Sequence, residues 1–541
     1  MRLTSYLIQR GLRLPPPQTR DIVIERDLRV PMPDGAVLLA DRWAPRYGGT
    51  ALPTAVYRSP YGRRGPTGTA LARPLAERGF QVLVQSVRGT FGSGGEFDPM
   101  RREREDGLAT LDWLVKQPWF GGTIVLTGLS YLGYVQWAVA DQVPAQVKAM
   151  VPEVTESALT LEFLRPDGLS LETPFAWGVQ VAGQERRGAL LRQVAAASTV
   201  RRALRVLPLA QADVAAIGRR SDYIQDILSC DADAPRWAGI DHRDRVADVR
   251  VPVSSIAGWY DIFLPGQLRD YQILQDGGRP ARLTVGPWAH TSPGAIRAAM
   301  AETLSFGLAC ARGEEPPARS PVRLYVMGEE AWRDFGAWPP AGYAPRRYHL
   351  QPGGGLAAEP PAESAPDRYR YDPAHPTPAV GGVRMSGQAG RVDNARLEAR
   401  ADVLTYTTPP LTADTEIVGE VSAEIWFRSS LRYADVFVRL CDVDTRGRSH
   451  NLCDGLVSLS GADQLGPAQV RMWPTAYRFR QGHRIRIQVS SGAFPRYARN
   501  TGTGQPHPTA TTLKAAEQEV YHDPGNPSAV ILPVKTPDSG H

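Results

Sequence analysis

Apolar positions change their spacing along this chain, and the changes mark out its elements. In the first 150 residues, short apolar and β-branched runs at Val37–Leu39, Ala55–Arg58, Val82–Gln85 and Ile124–Thr127 predict strands. Between them, Glu103–Lys116 and Tyr131–Asp141 repeat apolar residues at three- and four-residue spacing, which predicts helices. Alternation of this kind implies a mainly parallel sheet covered by helices. Residues 151–240 read differently, rich in Leu, Ala, Arg and Gln with helical stretches and few strand signals. Strand-like runs return at Val251–Ala257 and Leu283–Val285. A helical insertion therefore interrupts one α/β domain.

Near residue 345 the pattern changes again. Pro339–Pro340 and the Gly/Pro/Ala-rich run from Pro352 to Pro366 read as a connection. Beyond it, period-2 segments dominate. Val421, Ala423, Ile425 and Phe427 alternate with Ser422, Glu424 and Trp426, and Ile485, Ile487 and Val489 with Arg484, Arg486 and Gln488. Repeated short strands of this kind predict a β-sandwich or jelly roll. The expected domains are 1–150 and 241–345 for the two parts of an α/β domain, 151–240 for the helical insertion, and 346–541 for the β domain. A chain of 541 residues has length enough for such cores.

Composition narrows the function classes. Charged residues are 22% and hydrophobic ones 42%, as in an ordinary globular protein. The net charge of +6 is spread along the chain with no basic block, so no nucleic-acid partner is expected. Cys230, Cys310, Cys441 and Cys453 show no C-x-x-C spacing and support neither a zinc site nor a disulfide framework. Cys441 and Cys453 lie in strand-like segments and read as buried thiols, with pairing as the alternative. No metal or cofactor is expected. Met1–Leu14 lacks the apolar core and cleavage site of a signal peptide, and no apolar run reaches the length of a bilayer span. The expectation is a cytoplasmic protein without membrane contact.

The chemistry concentrates at Gly128-Leu129-Ser130-Tyr131-Leu132-Gly133. A strand leads in and a helix leads out, which is the context of a nucleophile elbow. A serine on so tight a turn lifts its hydroxyl clear of the sheet, and the helix N-terminus aims N–H groups at a developing oxyanion. The strict G-x-S-x-G pattern fails, because Leu132 stands where the second glycine belongs. The competing reading is a plain strand-to-helix turn.

An α/β hydrolase orders its triad as Ser, then Asp or Glu, then His. Of nine histidines, only His290 falls in the α/β part after residue 250, just beyond the Leu283–Val285 strand. Asp261 follows the preceding strand, with Asp270 as the next carboxylate. Ser130, Asp261 and His290 are the candidate nucleophile, acid and base.

The chain resembles the cocaine-esterase-like serine hydrolases, relatives of X-Pro dipeptidyl peptidases and α-amino-acid ester hydrolases. The likeness runs through Val30–Gly35, Arg58-Ser59-Pro60-Tyr61, Val87–Thr90 and Gly128–Gly133, then Ala257–Asp261 and Val285–His290. In the β part it includes Val322–Gly328, Tyr371–Pro373 and Phe494–Tyr497. The family's nucleophile motif carries tyrosine after the serine and glycine at the later position, as here. The resemblance implies an α/β hydrolase with a helical cap insertion and a C-terminal all-β jelly-roll domain. It implies a serine esterase that works through an acyl-enzyme on a small ester or amide, with room for a homodimer. It also implies an oxyanion hole made by the Tyr61 hydroxyl and the Tyr131 backbone N–H.

For the pocket, Phe263 matches an aromatic wall position of the aryl-ester members, and Trp177 in the cap resembles another; cap core is the competing role for each. Val383-Arg384-Met385 departs from the bulky apolar residues of the cocaine-cleaving pattern, so Arg384 is expected to meet a polar or anionic acyl group. The peptidases' extra N-terminal region is absent, which leads to the expectation of an esterase rather than a dipeptidyl peptidase. Two other classes remain open: an acyltransferase using the same acyl-enzyme, and a non-catalytic binding protein on this scaffold.

Overall fold

The computed structural model describes residues 2–48, 51–159, 164–165, 168–185, 189–229, 231, 234–237, 239–385 and 388–537. The chain forms two compact units, Met1–Thr160 with Asp233–Arg323, and Leu161–Ala232 with Leu324–His541.

The first unit is built on a twisted sheet. Its strands are β1 (Ile22–Pro31), β2 (Val37–Pro45), β3 (Thr54–Ser59), β4 (Gln81–Ser86), β5 (Ile124–Leu129), β6 (Val147–Glu153), β7 (Val253–Tyr260) and β8 (Ala281–Ala289). They lie in the order β1-β2-β4-β3-β5-β6-β7-β8. The first two pairings are antiparallel, and all from β4 to β8 are parallel. β3, β4 and β7 are buried along their whole length, which explains why they read as continuous apolar runs rather than alternating ones. One core joins the sheet to its helices: Val56, Leu83 and Leu126 pack with Leu111, Trp137 and Leu274. β1 and β6 went unpredicted. β1 carries Glu25, Arg26, Asp27 and Arg29 on an edge strand that needs few apolar residues, and Lys148 and Pro152 interrupt the apolar run of β6.

The second unit gathers the helices Glu172–Gly183, Ala189–Ala203, Ala212–Ile217 and Asp222–Ser229 with the β-rich C-terminal part. Backbone bonds tie them, Leu171 N–H to Arg496 O at 2.7 Å and Ala210 N–H to Pro508 O at 2.9 Å. The helical stretch is thus inserted between β6 and β7 in sequence but packs with the β-rich part. Some strands alternate with period 2, whereas Tyr433–Val443 is buried along nearly its whole length. In Ser422–Ser429, Ala423, Ile425 and Phe427 are buried while Ser422, Glu424 and Trp426 are half-buried. The strand Ala331–Phe335 precedes residue 346, and Tyr343–Gln351 begins before it and runs through it. The Gly/Pro-rich run near 352–366 therefore lies inside this unit and includes the short strand Gly355–Ala357, and the unit begins some twenty residues before the composition break. Cys441 and Cys453 are buried free thiols there, and Cys310 in the first unit is also free. Cys230 lies outside the described residues.

Candidate active site

Ser130 sits at the hinge between β5 and the helix Tyr131–Trp137, with φ 59° and ψ −123°. A non-glycine residue there stores strain, and its surroundings hold it. The Ser130 N–H donates to Glu153 O at the end of β6 (2.8 Å), while Ser130 O accepts from the Gly133 and Tyr134 N–H groups, each at 2.9 Å. Two glycines make the turn fit. A Cβ on Gly128 would stand 2.6 Å from Leu132 Cβ, and one on Gly133 would stand 2.3 Å from Thr155 Cγ2. Position 132 faces no such limit, so the departure from the strict serine-elbow pattern costs nothing sterically. The space is demanded one residue later.

His290 and Asp261 lie just past the C-terminal ends of β8 and β7. His290 Nδ1 is 2.7 Å from Asp261 Oδ2, and His290 Nε2 is 2.9 Å from Ser130 Oγ. Asp261 is fully buried and His290 is 5% exposed. The other Asp261 oxygen accepts from the Phe263 N–H at 2.9 Å, so neither carboxylate oxygen is left without a donor. Phe263 meets the His290 ring edge-on, with centroids 5.4 Å apart. Such a chain of hydrogen bonds can pass the serine proton to His290 and steady the resulting imidazolium against Asp261. Asp270 is committed elsewhere: its buried carboxylate accepts from the Ser157 N–H (2.6 Å) and Oγ (2.7 Å).

Tyr61 lies two residues past β3, the strand beside β5. In that pairing Val56 faces Leu126, which places the Tyr61 turn level with the elbow. The Tyr61 N–H donates to Ser59 Oγ at 3.1 Å. Arg63, two residues on, ties the turn to its neighbours. Its buried guanidinium donates to Asp41 Oδ1 (3.0 Å), Ser86 Oγ (3.1 Å) and Phe91 O (2.6 Å). Tyr131 opens the helix, and its phenol is buried, donating to Glu103 Oε1 (2.7 Å) and accepting from the Met100 N–H (2.8 Å). Arg58 pairs with Glu103 at 2.9 Å, and burial above all pushes the Glu103 carboxyl up from its ordinary range.

Sequence reasoning missed these supports, and it missed Glu153. The Glu153 carboxyl is buried beside the elbow and accepts from Thr127 Oγ at 3.3 Å. Burial pushes its pKa up to about 8, and no cation pairs with it among the described residues. A lone acid at a strand end carries no sequence signal of that kind. In the second unit, Trp177 meets Tyr223 edge-on with centroids 5.1 Å apart. Arg384 donates to both oxygens of Glu172, at 2.6 and 2.8 Å, which balances its charge. Among the described residues, no three His, Cys, Asp or Glu side chains cluster so as to hold a metal ion, and no helix is long and apolar enough to cross a membrane.

A mainly parallel sheet with a serine at its elbow and a histidine and aspartate at later strand ends defines a serine hydrolase of the α/β-hydrolase fold. Comparison with known proteins agrees. The family model for X-Pro dipeptidyl-peptidase (S15 family) matches residues 34–292, and that for the X-Pro dipeptidyl-peptidase C-terminal non-catalytic domain matches 318–531. The cocaine esterase of Rhodococcus sp. (strain MB1 Bresler) is 30% identical, over 94% of this chain and 98% of that protein. Among solved structures, an aminopeptidase from a marine sediment archaeon, Thaumarchaeota archaeon, superposes with a TM-score of 0.81 at 21% identity, covering 96% and 97% of the two chains. An α-amino acid ester hydrolase superposes with a TM-score of 0.80 at 22% identity, covering 96% and 98%. The chain belongs to the cocaine-esterase family of serine hydrolases, and it is an enzyme of the ester-hydrolase class.

Proposed function

We propose that this enzyme cleaves a small carboxylic ester through an acyl-enzyme on Ser130. His290 takes the Ser130 proton as the oxygen attacks the ester carbonyl, and Asp261 stabilises the imidazolium. The Tyr61 hydroxyl and the Tyr131 N–H bind the oxyanion of the tetrahedral intermediate. His290 then gives the proton to the leaving alcohol. A water molecule, deprotonated by His290, attacks the acyl-enzyme, and its collapse frees the acid and restores Ser130.

The observation that carries this reading is the placement of His290, with one ring nitrogen 2.9 Å from Ser130 Oγ and the other 2.7 Å from Asp261. In this reading Phe263, packed on His290, forms the wall beside the acyl group. Trp177, packed on Tyr223 in the second unit, is not assigned to the substrate. Arg384, its charge balanced by Glu172, is not assigned to the substrate.

The test is a panel of short-chain, aryl and aminoacyl esters, assayed with and without added amine or alcohol, with Ser130→Ala as control. Turnover of at least one ester class, lost in the variant, is expected. Equal turnover in the variant would overturn the reading. Acyl products formed on the added acceptor in preference to water would make the enzyme a transferase.

A further inference from the structure

A second concave site lies wholly within the β-rich unit. It encloses about 530 Å³, within the range of roughly 300–1,000 Å³ typical of small-molecule pockets. Arg391, Arg446, Arg448, Arg480, Glu330 and His450 line it. The turn Asp444–Arg448, which joins the strands Tyr433–Val443 and Ser449–Ser460, forms one wall. That turn is held rigidly. Asp444 Oδ1 accepts from the N–H groups of Arg446 (2.9 Å) and Arg448 (3.0 Å), and Oδ2 accepts from Arg448 Nε (2.8 Å).

The charges do not cancel. Asp444 is used by the turn and by Arg448. Arg391 lies 3.8 Å from Glu330 and 3.7 Å from Asp442, a buried carboxylate already bonded to Tyr477 and His483. Arg480 gives its Nε to Gly328 O at 2.9 Å. Among the described residues, neither Arg480 nor Arg446 has a carboxylate partner. His450 also lines the pocket. Guanidinium forks match the paired oxygens of phosphate and carboxylate groups, and a prearranged turn spares the ordering cost of binding.

We propose that this pocket binds a small oxyanion of at least two negative charges, a phosphorylated or polycarboxylated metabolite, held by Arg446 and Arg480. The ester chemistry proposed for Ser130 needs no such group.

Isothermal titration of the full chain with pyrophosphate and with citrate, against acetate at matched ionic strength, tests it. Saturable binding of one or both polyanionic probes is expected, weakened about tenfold or more in Arg446→Gln/Arg480→Gln. Pyrophosphate alone would mark a phosphorylated ligand, and citrate alone a polycarboxylate. No saturable binding of either probe below about 10 mM, or unchanged binding in the double variant, would overturn the proposal. If the double variant fails to fold, Arg446→Gln alone, on the exposed turn, serves: a several-fold loss supports the site, and unaltered affinity removes it. Esterase activity should be the same in these variants as in the parent enzyme.

Discussion

His290 stands beside Asp261 because β8 carries one residue more than β7 at their ends. The strands pair in register from Ala281 opposite Val253 to Gly286 opposite Gly258, and then Ala289 faces Tyr260. This bulge shifts the pairing by one residue. Without it, Ala289 would stand where His290 stands, because a one-residue slip turns every later side chain to the other face. Gly258 makes room for the bulge: a Cβ there would lie 2.3 Å from Trp288 O.

Gly258→Ala is therefore expected to strain the β7–β8 pairing at the site. A backbone oxygen cannot swing aside as a side chain would. A stability loss of about 1–3 kcal/mol is expected from such overpacking, with a larger fractional loss of kcat as His290 moves. Thermal unfolding together with ester kinetics checks this. Parent-like kcat would show that the bulge does not depend on that glycine.

Ser130→Ala should lower kcat by roughly 10⁴–10⁶, the range seen when a triad nucleophile is removed. A fluorophosphonate should place a single adduct on Ser130 in the parent enzyme and none in the variant. Peptide mapping by mass spectrometry locates it, and an adduct elsewhere would reassign the nucleophile.

Asp261→Asn keeps the size of the side chain but turns His290 toward the wrong tautomer. A cost of about 10⁴ in kcat is expected, with the fold intact by circular dichroism. Asp270→Asn, which loosens the Ser157 contacts, should act on stability far more than on rate. The reverse pattern would exchange the two roles.

Tyr61→Phe removes one oxygen and keeps the ring. If the hydroxyl donates to the oxyanion, kcat should fall by about 10²–10³, or roughly 2.7–4 kcal/mol. KM should move little, because the bond strengthens only as the carbonyl oxygen gains charge. Unaltered kcat on an ester whose acylation limits the rate would remove Tyr61 from the site.

Glu153 gives a pH-dependent stability. Its carboxyl has a pKa near 8 in the folded chain, held up by burial, against about 4.3 when unfolded. The folded state therefore binds the extra proton between those values. The contribution is complete below the unfolded pKa and is lost as pH rises toward 8. Glu153→Gln mimics the neutral acid, so its melting temperature should gain on that of the parent enzyme from pH 5 to pH 8.5. A constant difference across that range would mean that Glu153 is already ionised in the folded protein.

Periodicity alone was enough to separate an α/β part from a β-rich part, because a buried parallel strand and a half-exposed antiparallel one leave different apolar patterns. The candidates Ser130, Asp261 and His290 came from the Gly128–Gly133 turn and from strand ends taken in the order an α/β hydrolase uses. What the pattern could not carry was register and company. A one-residue bulge does not alter apolar spacing enough to be seen, yet it decides which residue faces Asp261. The bonds of Arg63 to Asp41, of Ser130 to Glu153, of Tyr131 to Glu103 and of Arg58 to Glu103 join residues 22 to 45 positions apart. The helical stretch read as an insertion in the α/β domain, but its hydrogen bonds tie it to the β-rich part. Local pattern reports how a segment buries its own side chains. Which distant group completes a buried charge or a strained turn is settled only when the tertiary structure brings them within hydrogen-bonding distance.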